Sequence, residues 1–216
     1  EIQKPREKLG FDMTKISNVQ DISGGISMPF FETKKRKFGS LLKIVYAARN
    51  WDYGLDLALK ACASVSKDSE MKIQLTITGG KIPKSVLEEY FNIPNLEIKN
   101  VGFMTLQKLD ELLYDSHIGL ALYPQKNVSS SSFGDPEKVR RYINAGLPSV
   151  VSGLGRTVER AVESGSAIRA DHEVISITKK MLLLINSKGY YSKLEEAAFR
   201  EGCANRKQNK IRKCLI

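Results

Sequence analysis

The 216-residue chain is poor in the residues that most often announce a mechanism. It has three cysteines, Cys62, Cys203 and Cys214, and two histidines, His117 and His172. The cysteine count is odd and no CxxC spacing occurs. No His or Cys stands at zinc-ligand spacing. These shortages exclude a disulfide framework and a structural zinc site, and they imply a reduced, cytosolic-side setting. Two isolated histidines build no Ser/His/Asp or Cys/His set. His117 falls between a helix and a strand and reads as structural. No apolar run reaches the ~18–20 residues of a membrane span, and no signal-peptide apolar segment is present. Asn127-Val-Ser129 matches a glycosylation sequon, which has no use without a secretory route. The chain starts at Glu1 rather than Met, and the expectation is a piece of a longer protein.

Acidic residues are scarce as well. Asp and Glu number 24 against 34 Lys and Arg, a formal charge of +10 at pH 7. Such an excess points to anionic partners, either phosphorylated small molecules or an acidic membrane surface. Nucleic acid is not expected, because neither an aromatic stacking platform nor a reader-helix motif accompanies the charge. The cations gather at Lys34-Lys-Arg-Lys37 and at Arg206-Lys207, Lys210 and Arg212-Lys213. Two basic ends suit a non-catalytic module that docks to an acidic membrane surface or protein partner. The expected location is cytoplasmic, with the cytoplasmic membrane face as the alternative.

Residues 1–40 do not read as one compact unit. Ser23-Gly-Gly-Ile26 is a turn, and Pro29 with the basic run marks a linker, so the domain proper is expected over 41–216. From there strand and helix patterns alternate. The strands are Leu42–Ala48, Ile73–Thr78, Leu96–Val101, Ile118–Tyr123, Ser149–Ser152 and Ala167–Arg169. The helices are Gly54–Ser66, Lys84–Asn92, Thr105–Ser116, a short one after Asp135, Thr157–Ser164, Glu173–Asn186, and a last stretch from Ser192 toward Asn205. This order predicts an α/β fold: a Rossmann-like, doubly wound parallel sheet of about six strands with helices on both faces. Right-handed crossovers put the ligand crevice at the strands' C-terminal ends.

The most informative stretch is Gly134 to Ser152. Asp135 suits an N-cap and Pro136 the first helical position. Val139, Tyr142 and Ile143 make one apolar stripe. Gly146 ends the helix as a left-handed C′ residue, and Pro148 stops continuation. A polar loop feeding a helix N-terminus can hold an anion, since unpaired N–H groups and the helix dipole point at it. Arg49 follows the first strand directly and can clamp a diphosphate with two parallel hydrogen bonds. Gly79-Gly80 lets backbone approach a ligand after the second strand. Tyr123-Pro124 ends the fourth strand, and the loop from Gln125 to Gly134 is longer than a typical βα loop of ~2–6 residues.

The run Asp135-Pro136-x-Lys138-Val139-x-x-Tyr142-x-x-Ala145-Gly146-Leu147-Pro148-x-Val150 resembles the sugar-nucleotide signature of group 1 glycosyltransferases of GT-B architecture. The likeness covers roughly residues 41–205, with a looser echo at Ile22 to Phe31. It implies the C-terminal, sugar-nucleotide-binding domain of a two-domain enzyme. Its activity would be metal-independent, retaining glycosyl transfer with no cofactor beyond the nucleotide-diphosphate sugar. An N-terminal acceptor domain or partner chain would complete the site, and this chain alone would bind nucleotide sugar weakly and turn over nothing. The family's pattern places the base near Gly102-Phe103-Met104-Thr105, and the sugar or phosphate at the amides of Phe133 and Gly134. Lys138 matches its lysine and neutralises phosphate, and Asp135 or Glu137 stands in for a missing carboxylate. The sequence departs from the family at three places. Tyr53 stands where a lysine is usual, and Phe133 and Arg141 occupy the positions of the glutamate pair that meets sugar and ribose. A guanidinium cannot accept from a ribose diol.

Overall fold

The computed structural model describes residues 35–48, 54–80, 82–124 and 137–213, with 206–213 as backbone only. Six strands form one parallel sheet: β1 Leu41–Ala48, β2 Lys72–Gly79, β3 Leu96–Gly102, β4 Ile118–Ala121, β5 Ser149–Val151 and β6 Ala167–Arg169. The helices between and after them are α1 Leu55–Asp68, α2 Lys84–Glu88, α3 Leu106–Asp115, α4 Glu137–Asn144, α5 Arg156–Glu163, α6 Val174–Asn186 and α7 Lys188–Lys213. The strand order is β3-β2-β1-β4-β5-β6. The chain therefore winds one way from β1 to β3, then crosses back and winds the other way from β4 to β6. Every pairing is parallel. This is the Rossmann-like, doubly wound arrangement expected from the alternation of patterns.

Both faces of the sheet are covered, which is why the inner strands are apolar throughout. On one face Leu42, Ile44 and Tyr46 of β1 meet Leu55, Leu59 and Cys62 of α1 and Ile177, Met181 and Leu184 of α6. On the other, Val45 meets Leu113 of α3, Val139, Tyr142 and Ile143 of α4, and Val158 and Ala161 of α5. Burial pushes the Cys62 thiol pKa up, so the side chain behaves as a small apolar group.

Element ends differ from the sequence expectation where local chemistry intervenes. The helix expected over 84–92 stops at Glu88. Beyond it the bonds tighten, with Tyr90 N donating to Leu87 O at 3.0 Å and Phe91 N to Glu88 O at 3.3 Å. Pro94 disfavours helical backbone just before it. The last helix starts earlier than expected, where Tyr191 N donates to Ser187 O at 2.9 Å, and it runs on to Lys213. Strand β4 ends two residues short of Tyr123, whose backbone turns aside to the Ser152 side chain.

The segment leading into β1 is built into the domain. Arg36, from the basic run read as linker, is buried. Its guanidinium donates to Gly146 O at 2.6 Å, Ala145 O at 2.9 Å, Tyr114 O at 3.2 Å and Glu195 Oε1 at 3.1 Å. Two helix C-termini thus receive a cation where the dipole favours one, and α7 is tied to them through Glu195. Phe38 follows, edge-on to Tyr191 at 4.5 Å and to His117 at 5.5 Å. His117 Nδ1 accepts from Lys43 N at 2.9 Å, the structural role expected of it. Arg36→Ala leaves the Glu195 carboxylate buried without its cation and should destabilise by about 3–5 kcal/mol. A urea titration measures this, and a loss under ~1 kcal/mol would show that α7 is held by packing alone.

Candidate functional site

The site starts from a gap in the sheet. Strand β1 stays in register with β2 to its end, Ala48 opposite Gly79. With β4 it pairs only through Ile44–Ile118 and Val45–Gly119. Beyond Val45 the two central strands part, at the point where the winding reverses, and ligands of such sheets settle in this crevice. The Tyr142 hydroxyl stitches the opening, accepting from Ala47 N at 3.2 Å and donating to Leu120 O at 3.1 Å. Its ring lies on Gly119, where an added Cβ would come within 2.7 Å of it. A residue with a side chain at 119 would push α4 off the sheet.

Helix α4 keeps the apolar stripe and the C-terminal stop expected of it. Val139, Tyr142 and Ile143 are buried. Gly146 has φ 60°. Gly146 N donates to Ile143 O and Leu147 N to Tyr142 O, the paired bonds of a Schellman end. One turn before Tyr142, on the same face, stands Lys138. Its Nζ sits 4.7 Å from the Tyr46 ring centroid and 4.5 Å from that of Tyr123. Two tyrosines thus cage the ammonium. Among the described residues it makes no ion pair, and burial pushes its pKa down to about 7.

The Tyr123 wall is fixed by β5. Ser152 Oγ accepts from Tyr123 N at 3.1 Å, lies 3.0 Å from Tyr123 O, and lies 3.0 Å from His172 Nδ1. A Ser–His pair so placed is not a nucleophile, because the hydroxyl is fully buried and spent on positioning Tyr123. Burial lowers the His172 pKa, with Asp56 partly opposing. Gly153, at φ 97°, packs so closely that a Cβ would meet Tyr123 Cβ at 2.7 Å. Gly54, the N-cap of α1 at φ 81°, makes a similar approach to Leu122 O.

The other residues singled out from the sequence fall along the same edge. Gly79, at φ 122°, ends β2 and is followed by Gly80. Gly102 ends β3, and its carbonyl accepts from Thr78 Oγ1 at 2.9 Å. Phe103 is 72% exposed, with Met104 beside it and Thr105 capping α3 through Lys108 N. Arg141 is buried and committed: Nη1 to Asp110 Oδ1 and Nε to Glu137 Oε1, each at 2.9 Å. Arg49, Tyr53, Phe133, Gly134, Asp135 and Pro136 lie outside the described residues. Sequence reading missed Tyr46, Ser152, His172 and Asp110. The signal for Tyr46 was an aromatic residue two before the end of a central strand. Among the described residues no cluster of three His, Cys, Asp or Glu could hold a metal ion, and no helix is long and apolar enough to cross a membrane.

Fold and site together define a Rossmann-like α/β domain with a cation caged at the switch point of its sheet. The fold is that of the C-terminal domain of GT-B glycosyltransferases, shared with UDP-N-acetylglucosamine 2-epimerases. A TarM mutant of S. aureus, solved in complex with Fondaparinux, alpha-GlcNAc-glycerol and UDP, aligns over 93% of this chain and 38% of its own, with TM-score 0.66 and 16% identity. The C-terminal domain of the group 1 glycosyl transferase LpcC from Francisella tularensis aligns over 76% of this chain and 84% of its own, with TM-score 0.58 and 10% identity. The UDP-GlcNAc 2-epimerase of Neisseria meningitidis, bound to UDP-GlcNAc, aligns over 79% and 44%, with TM-score 0.53 and 14% identity. The chain thus spans less than half the length of TarM and of this epimerase. No family model matches the sequence, and no curated protein sequence matches it significantly.

The caged ammonium gives a stability test. Below pH ~7 Lys138 is charged in the folded and unfolded chain alike, and the cost of burial is carried in full. Between there and pH ~10 the folded chain has released a proton that the unfolded chain keeps, so stability gains as pH rises. Lys138→Met should therefore raise the thermal midpoint more at pH 6 than at pH 10. Scanning calorimetry that finds equal shifts at the two would contradict the burial of this charge.

Proposed function

We propose that the chain is the sugar-nucleotide-binding domain of a retaining, group 1 glycosyltransferase of GT-B architecture. An N-terminal domain or partner chain would bring the acceptor. The observation that carries this reading is the Lys138 ammonium, caged by two tyrosines at the parting of β1 and β4 without an ion pair among the described residues. An uncompensated, half-buried cation is costly, and a bound diphosphate removes the cost. Arg49, from the turn after β1, would close on the same phosphates, and the amides of Phe133, Gly134 and Asp135 would face them from the loop before α4. Positive charge held there stabilises the leaving nucleotide diphosphate as the glycosidic bond breaks. The base would lie on the β3–α3 turn, where Gly79 and Gly80 leave room and the exposed Phe103 ring and Met104 offer an apolar surface. Tyr123 would border the sugar. No metal is required, since lysine, arginine and amides supply the positive charge.

Solved neighbours with this fold include TarM in complex with UDP and an epimerase bound to UDP-GlcNAc, and a group 1 glycosyl transferase domain. The α4 motif favours transfer. Docking to an acidic membrane is the weaker reading, because Arg36 of the N-terminal basic run turns inward.

A thermal-shift panel of UDP, GDP and their sugars tests the reading. A ligand at ~100 times its dissociation constant stabilises by about 2.7 kcal/mol. Lys138→Ala should abolish most of the shift, and a flat panel with the unaltered chain would end the proposal. Binding also draws a proton onto Lys138 above pH 7, so affinity should fall by up to about tenfold per pH unit from pH 7 to 9. Isothermal titration at three pH values measures that slope. A pH-independent constant would remove Lys138 from the contact.

A further inference from the structure

The sheet ends at β3, which pairs with β2 on one side and, among the described residues, has no strand on the other. Ile73 N of β2 donates to Asn95 O at 2.7 Å, and the two strands stay in register from Ile73–Leu96 to Ile77–Asn100. Successive residues of a strand turn their N–H and C=O groups to opposite sides. Residues 95, 97 and 99 therefore serve β2. Ile98 and Asn100 direct their N–H and C=O outward, and Leu96 its C=O. Lys99, Asn100 and Val101 are exposed along this edge, and so is Phe91 in the turn before the strand. Sheets usually blunt an open edge with charge. The charges here are of both signs. Glu97 and Lys99 share one face on either side of Ile98, with Lys99 Nζ 3.5 Å from Glu97 Oε1. Gln74 and Lys72 hold the other carboxylate oxygen, each at 3.1 Å, and with Lys99 they keep the Glu97 pKa down at about 2.

We propose that β3 is a self-pairing edge: two copies of the chain join antiparallel about Ile98, and their sheets become one. Ile98 then exchanges both main-chain hydrogen bonds with Ile98 of the second copy. Asn100 N donates to the second copy's Leu96 O, and the reverse. Glu97 comes directly opposite the second copy's Lys99, in the pairs between these bonds, where side chains stand closest. The charges specify this register. Outward-facing residues bond only to outward-facing ones, so the neighbouring registers lie two residues away. One of them sets Glu97 against Glu97 and the other Lys99 against Lys99, and like charges directly opposite are destabilising. A second copy suits the edge because the order of charges, read backwards, is its own complement. Such a patch closes as a two-fold dimer. The crevice between β1 and β4 is two strands away, so the inference stands apart from the proposed nucleotide-sugar function.

Sedimentation equilibrium of the full chain over a wide range of concentrations tests this. The unaltered chain should pass from monomer to dimer as concentration rises. Lys99→Glu sets two carboxylates opposite each other at two symmetry-related places and should weaken the dimer about tenfold or more. Exchanging both signs, Glu97→Lys with Lys99→Glu, keeps the match and should restore most of the loss. Asn100→Pro removes an N–H that faces away from β2, which an open edge tolerates, and should also weaken the dimer. Thermal midpoints of the dilute variants check that each is folded. A chain that stays monomeric throughout leaves the edge to a strand of another protein and overturns the proposal. A dimer that neither Lys99→Glu nor Asn100→Pro weakens lies on another surface and overturns it too. A double exchange that recovers nothing contradicts the register.

Discussion

The parting of β1 and β4 is the constraint on which the rest of this structure depends. Two parallel strands that separate leave backbone groups unsatisfied, and a buried unpaired N–H or C=O costs about as much as a lost hydrogen bond. The Tyr142 hydroxyl serves one group of each strand. That demand places α4 over the gap and sets its rotation. Gly119 follows from it, because the ring must lie on the strand. Lys138 follows as well, one helical turn toward the opening and on the same face. The crevice is therefore held open by the same side chain that satisfies its walls.

Arg36, Arg141 and Lys138 are all buried or half-buried, and they divide by how they are matched. Arg36 has a carboxylate and three carbonyl oxygens. Arg141 has two carboxylates. Both arrangements return in contact energy much of what desolvation takes. Among the described residues Lys138 has the faces of two tyrosines and no ion pair. A cation–π contact of about 0.5–2 kcal/mol falls short of the several kcal/mol that each buried ion costs. Under folding alone an apolar residue would serve better at this position. On the proposed reading, the difference between Lys138 and the two arginines separates a site from a scaffold more sharply than the net charge of the whole chain does.

Period and punctuation were enough to read the layers of this fold. Apolar β-branched runs marked the strands, and their alternation with helical stripes marked the parallel sheet. Gly146 followed by Pro148 marked the end of α4 down to its hydrogen bonds. Element ends were less legible wherever a distant group decided them. Strand β4 stops early because Ser152, 29 residues away, takes the Tyr123 backbone. Arg36 looked like part of a solvated basic run, and only the assembled helix ends and Glu195, 159 residues on, show why it is buried. Arg141 read as the loss of a carboxylate, because its partner Asp110 lies on another helix 31 residues back. Each miss is a long-range polar contact to a single atom, which carries no periodic trace in sequence. Tyr46 is the instructive case. Its place in a buried strand was plain, but its second role as a floor for an ammonium needed the third dimension.

The fold by itself does not choose between sugar transfer and sugar epimerisation, since solved proteins of both kinds share it. On the proposed reading, what the two chemistries have in common is the task of holding a nucleotide diphosphate. The parts assigned to that task are the ones the sheet's topology dictates: the parting of β1 and β4, the α4 N-terminus and the β3–α3 turn. What distinguishes the chemistries is where the reacting carbon lies and which groups reach it, and those groups need not belong to the sheet at all. A domain of this kind can therefore retain its crevice while the side chains at its rim differ. A buried guanidinium at that rim is tolerated only with a carboxylate beside it, because an unpaired one there would cost several kcal/mol. Asp110 gives Arg141 that carboxylate from another helix.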